Sequence, residues 1–247
     1  MTSQTMRHLM VDCETLGLAV DAGVWQLAIR EFTIDPVAGV SFVEGGLELN
    51  ALIDQVTVSD NVKAGRQSMD WSTILWLEKQ EAAPLFKHWA RLTHGLFHFD
   101  TIMVYDESNR SYVLDENCAG CSVGFVLDTL QTFEAMEDSE VHYWSKGKEF
   151  DKPILENMFK ASGLKAPWKY YNFHCVRDAF ALPYLLRGEN PPRRKAKTHN
   201  AWDDCAEQLG LLGETFNVSK DKTLTKIVID KQRMLHNGIE ALVDVSH

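Results

Sequence analysis

Leu9-Met10-Val11 runs without interruption into Asp12-Cys13-Glu14. Met6 to Asp12 reads as a buried strand, and residues two apart on a strand point to the same face. Asp12 and Glu14 therefore share a face where an apolar side chain would be the default. At the strand's end, just beyond the core, they can bind a cation without burying unpaired charge. This restricts the chain to folds in which other groups meet that strand end.

Two further patches supply such groups. In Trp144-Ser145-Lys146-Gly147-Lys148-Glu149-Phe150-Asp151, the acid follows a short strand, Val141 to Trp144, and opens a helix predicted from Lys152 to Ser162 with Pro153 in its first turn. Asp151 by itself reads first as a helix N-cap, and it can be a ligand as well, since a helix start favours an anion. In His199-Asn200-Ala201-Trp202-Asp203-Asp204-Cys205, a histidine precedes a predicted helix whose first turn carries two acids. Spacing alone does not choose between Asp203 and Asp204. Hard divalent cations prefer oxygen ligands, and two of them roughly 3.5–4 Å apart are the usual device for in-line displacement at phosphate. Asp12, Glu14, Asp151 and Asp204, with His199 as general base on a loop, point to metal-dependent phosphodiester chemistry.

Composition narrows the rest. The 247 residues suffice for one large core, with 45% hydrophobic and 24% charged residues. A formal charge of −10 argues against a protein that coats nucleic acid electrostatically, though not against one that holds a strand end through cations. The basic stretch Arg193-Arg194-Lys195-Ala196-Lys197, just ahead of His199, reads as either a solvated loop or a phosphate contact. The five cysteines are odd in number and scattered, as reduced thiols are; Cys118-Ala119-Gly120-Cys121 lacks the second pair of a zinc site and reads as loop thiols. No signal-peptide pattern or apolar span is present, so a cytoplasmic location is expected.

Three antiparallel strands are predicted at the N-terminus: Met6 to Asp12, Val24 to Ile34 and Val40 to Leu49. Ser72 to Leu92 is helical and divided by Pro84, Val123 to Met136 has helical spacing, and Tyr170 to Phe173 is a further strand candidate. Helices are expected over Val176 to Leu186, Ala201 to Phe216 and Leu224 to Leu235. Residues 94–117 read as a hairpin-like insertion. Phe97, Phe99, Tyr143, Trp144 and Phe150 read as core. Strands followed by strand–helix alternation indicate an α/β sheet with helices on both faces.

Together the patches resemble the three exonuclease motifs of the DEDDh 3′–5′ exonucleases, in the ribonuclease H-like superfamily. His199-Asn200-Ala201-Trp202-Asp203-Asp204 matches the family's His-x-Ala-x-x-Asp, which favours Asp204 over Asp203. Ser72 to Gln80, Trp144 to Leu155 and Val176-Arg177-Asp178 are similar to phage exonuclease A and oligoribonuclease-like exoribonucleases. The resemblance implies a single exonuclease domain over residues 1–247, with a central mixed five-stranded sheet flanked by helices and a C-terminal helical extension from about residue 218. It implies that Asp12, Glu14, Asp151 and Asp204 hold two Mg²⁺ or Mn²⁺ ions, with His199 as base, and that 5′-mononucleotides leave single-stranded 3′ ends. DNA is slightly favoured over RNA because the phage enzyme is the nearer match. A phage-encoded chain would act in the host cytoplasm.

Thr15 and Leu16 resemble positions that contact the terminal nucleotide. Trp76 and Gln80, four apart on one predicted helical face, could line the strand's path, and Arg177 is either a phosphate contact or an acid's partner. Family relatives are often dimers, which admits a homodimer, though no residue here argues for one. The rival readings are an exoribonuclease or oligoribonuclease with the same site, a non-catalytic nucleic-acid-binding module on the same fold, and a phosphatase using the same carboxylates.

Overall fold

The computed structural model describes residues 6–35, 38–80, 83–91, 104–106, 111–113, 120–135, 140–192 and 199–219. Its centre is a mixed sheet. Strand β1 (Met6–Thr15) pairs antiparallel with β2 (Val24–Asp35), and β2 pairs antiparallel with both β3 (Gly39–Phe42) and β4 (Glu48–Leu52). On its other side β1 pairs parallel with β7 (Glu140–Ser145), which pairs parallel with β8 (Phe173–Cys175). Away from this sheet, β5 (Val104–Asp106) and β6 (Ser111–Val113) form a small antiparallel pair inside the hairpin-like segment.

The sheet is five positions wide but has six strands, because β3 and β4 lie end to end along β2. The single third strand expected over Val40 to Leu49 is thus divided. Glu31 is the point of division. Its amide donates to Leu47 O at 2.7 Å, its carbonyl accepts from Val43 N at 3.0 Å, and its buried carboxylate accepts from Leu47 N at 3.0 Å. Residues 44–46 therefore loop out while both flanks stay paired.

Helices cover both faces. Leu9, Val11 and Cys13 of β1 and Trp25, Leu27 and Ile29 of β2 enter one core. It is completed by α1 (Gln55–Lys63), α2 (Trp71–Leu77), α3 (Ala83–Arg91), α4 (Val123–Ala135) and α5 (Lys148–Ala161). Met10, Ala28 and Phe32 project the other way, against α6 (Val176–Leu186) and α7 (Ala201–Ser219). A strand covered on both faces loses polar alternation, which is why residues 9–11 read as a continuous apolar run.

Helix α1 has no counterpart in the sequence reading, because Val56, Thr57 and Val58 are β-branched and disfavour helix intrinsically. Its start is secured by Asp54, whose side chain accepts from Thr57 N at 2.9 Å. Gly120 packs against the Asp54 backbone so closely that a Cβ there would clash with Asp54 Cα. Cys121, expected as a loop thiol, is buried at 1% exposure and bonds through its amide to Leu52 O at 2.6 Å. Phe150, expected in the core, is 36% exposed, whereas Tyr143 is fully buried and Trp144 half-buried. Phe97, Phe99, Cys118, residues 193–198 and the final helix expected at Leu224 to Leu235 lie outside the described residues, as does most of the C-terminal extension.

Candidate active site

The first two acids lie inside β1 and not past its end. The strand continues to Thr15, so Glu14 faces Gln26 of β2 in register and is only 9% exposed. The bulge between Glu14 and Thr15 ends the regular pairing immediately afterwards. Burial and the neighbouring Asp204 and Asp151 raise the Glu14 carboxyl to about 8. Burial, with Asp151, Glu14 and Asp204 close by, also drives Asp12 well above the usual carboxylate range; Lys146 partly opposes this.

Asp151 arrives from β7. The helix begins earlier than the sequence suggested: Gly147 is the N-cap of α5, so Asp151 sits within the first turn and not at the cap, and Pro153 lies inside the helix. Its carboxylate turns back to accept from Gly147 N at 3.4 Å, and Cys13 Sγ lies 3.8 Å from its other oxygen. Burial at 6% exposure raises its pKa to about 6, against the pull of Ser145, the Gly147 amide, Cys13 and the Arg177 guanidinium. Arg177 therefore acts electrostatically on an acid of the site.

The third patch is carried by the start of α7. Asn200 caps that helix, its side chain accepting from Trp202 N at 3.0 Å and its carbonyl from Asp204 N at 2.9 Å. A fully buried Gln26 locks this turn to the sheet. Its Nε2 donates to Asn50 Oδ1 and Asn200 Oδ1, both at 3.1 Å, and its Oε1 accepts from Ala201 N at 3.3 Å. His199, just before the cap, has φ +50°, in the left-handed region. Its ring packs edge to face with that of Trp76, centroids 4.5 Å apart, and burial beside Lys146 lowers its pKa.

Glu14, His199 and Asp204 each bring a ligand atom to within 4.8 Å of the others. The structure groups Asp204 in this way, and not Asp203. Asp12 and Asp151 add to the concentration of acid: Asp151 raises both Asp12 and Glu14, and Asp12 is raised in turn by Glu14 and Asp204. Asp12 and Glu14, which burial and the neighbouring acids push toward protonation, are relieved by bound cations, and an oxygen-rich set with one imidazole suits a hard divalent ion. The donor set fits such a metal.

Other expected contacts are placed differently. The Thr15 hydroxyl donates to Gly17 O at 2.7 Å, closing a turn, and Leu16 is 4% exposed within the core. Helix α2 ends at Leu77, so Gln80 lies beyond it, its side-chain amide donating to Trp76 O at 3.1 Å. Trp76 itself is 42% exposed and not core. Leu18, Trp71 and Leu75 are exposed as well.

Four participants had no role in the sequence reading. Lys146 lies in the second patch, its Nζ 3.3 Å from Glu207 Oε1 and its charge acting on Asp12 and His199. Gln26 and Asn50 are strand residues whose partners are remote in sequence. Gln208 donates from Nε2 to Asp12 Oδ1; its helical spacing four residues after Asp204 was the available signal. A second group of ligand-type side chains, Glu149, Cys175 and Asp178, pairs two exposed acids with a buried thiol at the start of α6.

An α/β sheet whose central strand and flanking helix starts converge carboxylates on one imidazole is the framework of a hydrolase. A family model described as the 3′–5′ exoribonuclease Rv2179c-like domain matches residues 103–216, a stretch that contains Asp151, His199 and Asp204 but not Asp12 or Glu14. The chain is a 3′–5′ exonuclease, acting on nucleic-acid ends. No curated protein matches it. The preference for DNA expected from the sequence is not supported, and RNA fits the match better; nothing in the match bears on a phage origin or on a second copy of the chain. Among the described residues, no helix is long and apolar enough to cross a membrane.

Proposed function

We infer that this chain is a single-domain DEDDh-type exoribonuclease of the ribonuclease H-like superfamily, releasing 5′-mononucleotides from single-stranded RNA 3′ ends. The observation that carries the reading is the meeting of ligand atoms from Glu14, His199 and Asp204 within 4.8 Å of one another, with Asp12 and Asp151 acting on the same site. The family match supports RNA as the substrate.

Asp12, Glu14, Asp151 and Asp204 would hold two Mg²⁺ or Mn²⁺ ions, which when bound supply Lewis-acid stabilisation of charge on the phosphate and the leaving oxygen. His199 takes the proton from the attacking water. Burial keeps its ring neutral and so able to accept, and Trp76 limits its swing. Arg177 restrains Asp151 in its ionised form. The exposed part of Trp76 offers a face for an unpaired base, the common means of holding single strands. Thr15 and Leu16 are proposed to bound the terminal nucleotide's seat through the turn they form, and Gln80 to brace Trp76 through its carbonyl.

The test is a 5′-labelled single strand, offered as RNA and as DNA with Mg²⁺ or Mn²⁺. A descending ladder that forms faster on RNA is expected. A ladder on DNA alone would overturn the RNA assignment, a single internal cut would indicate an endonuclease, and binding without cleavage would leave a nucleic-acid-binding module.

A further inference from the structure

Gln208 is a fully buried polar side chain in the first half of α7. Nothing about its surroundings requires an amide for packing: its neighbours on that helix, Cys205, Leu211 and Leu212, belong to the apolar core between α7 and the sheet. Its Nε2 nevertheless reaches the strand and donates to Asp12 Oδ1. At the other end of the same amide, Oε1 has no hydrogen-bond partner among the described residues.

That asymmetry is informative. A buried carbonyl oxygen without a donor is unfavourable, and an aliphatic side chain of the same length would avoid the penalty. Against the ionised carboxylate that a cation would meet, the reverse rotamer would set Oε1 and Oδ1 as two acceptors face to face, so in that state the donor end belongs on Asp12. Once Asp12 is ionised, as cation binding requires, the contact is charge-assisted and among the stronger hydrogen bonds available to an amide. It also lies one helical turn beyond Asp204, so that a single helix presents one acid and grips another on β1.

We propose that Gln208 is a positioning residue that fixes the Asp12 carboxylate for cation binding. The inference rests on the cation-binding reading of the site given above. Asp12 has acids on several sides and would otherwise rotate away from Asp151 and Glu14, the two whose charges act on it most strongly after burial. The bond to Oδ1 holds the carboxylate within the cluster and sets its plane before any cation arrives. Partners of metal-ligating side chains act in this way generally, and their loss typically weakens metal affinity by about 10–100-fold.

The experiment is a calorimetric titration of Mn²⁺ into the whole chain, wild type and Gln208→Met, at one pH. Methionine keeps the length and apolar packing of the side chain and removes both the donor to Asp12 and the unsatisfied Oε1. Mn²⁺ affinity lower by about 10–100-fold, with the metal-free melting temperature of the variant equal to or above that of the wild type, is the expected result. A merely structural amide would lower the melting temperature and leave affinity alone, which would overturn the proposal; unchanged affinity would do so too. A wild-type protein that binds no Mn²⁺ would instead overturn the reading of the site itself. Should the variant fail to fold, the side-chain amide resonances of Gln208 in the wild type decide the matter. Protection from exchange and a shift on adding Mg²⁺ are expected. Free exchange with no response to Mg²⁺ would end the proposal.

Discussion

The rings of Trp76 and His199 meet edge to face, centroids 4.5 Å apart at an interplanar angle of 75°. The two residues lie on separate elements and meet at the mouth of the acid cluster. Because Trp76 remains 42% exposed, the contact restrains the imidazole more than it supports the core. Trp76→Ala is therefore expected to lower kcat by about 10–100-fold through loss of orientation. Stability should change by less than about 1 kcal/mol. Steady-state kinetics alongside a urea melt check both halves, and a large loss of stability with intact kcat would reverse the assignment.

His199 holds a positive φ that costs an L-residue roughly 1–2 kcal/mol and glycine nothing. His199→Gly should consequently be more stable than His199→Ala by about 1 kcal/mol. Both should lose activity by about 10²–10⁴ for want of a base. Equal melting temperatures for the pair would show that the backbone is not strained there.

Glu14 carries the opposite trade. Its folded pKa of about 8 lies above the ordinary value of 4.5, so the folded state binds the proton more tightly than the unfolded chain. Stability contributed at low pH is then lost as pH rises from about 4.5 through about 8. At pH 8 in EDTA, Glu14→Gln should be more stable than the wild type by about 1 kcal/mol or more, yet inactive when Mg²⁺ is supplied. Chelator should abolish wild-type activity, and added Mg²⁺ should raise the wild-type melting temperature more than that of the variant. Differential scanning calorimetry with and without EDTA measures this.

A separate pH effect is expected from the other end of β1. Burial beside His142 and His174 lowers His8 to about 4, and its Nδ1 accepts from Trp144 Nε1 at 3.2 Å. Here the folded state resists the proton that the unfolded chain accepts. Stability is complete above about pH 6.5 and declines as pH falls toward 4, by about 2 kcal/mol. His8→Asn, which can still accept from the indole, should flatten that decline. A difference of zero between wild type and variant in urea melts at pH 7 and pH 4.5 would refute the effect.

Gln26 joins β2, β4 and the first turn of α7 while facing Glu14 across the β1–β2 register. Replacing it with leucine takes the donor from Asn50 Oδ1, the acceptor from Ala201 N and one of the two donors from Asn200 Oδ1 in the interior. The cost should be about 2–3 kcal/mol, read from chemical denaturation. Activity should fall as well, since the same turn carries His199 and Asp204.

Much of the site was written in local chemistry. Apolar residues ending in Asp12 and Glu14, an acid opening the helix after Val141 to Trp144, and a histidine five residues ahead of Asp204 are each visible as one-dimensional patterns, because strands and helices impose fixed periods on the chain. An α/β sheet with helices on both faces followed from the same periods, and its mixed character from the resemblance to the exonuclease family. Tertiary structure alone decided the burial of Glu14, the helix start at Lys148 that takes Asp151 out of the cap position, and the division of the third strand at Glu31. It also set Gln26, Lys146 and Gln208 beside residues far away in sequence, and turned Leu16 inward while Trp76 stayed exposed. Periodicity reports which way a side chain leaves its own backbone. Desolvation, charge coupling and hydrogen-bond partners depend on what other segments bring to the same few ångströms.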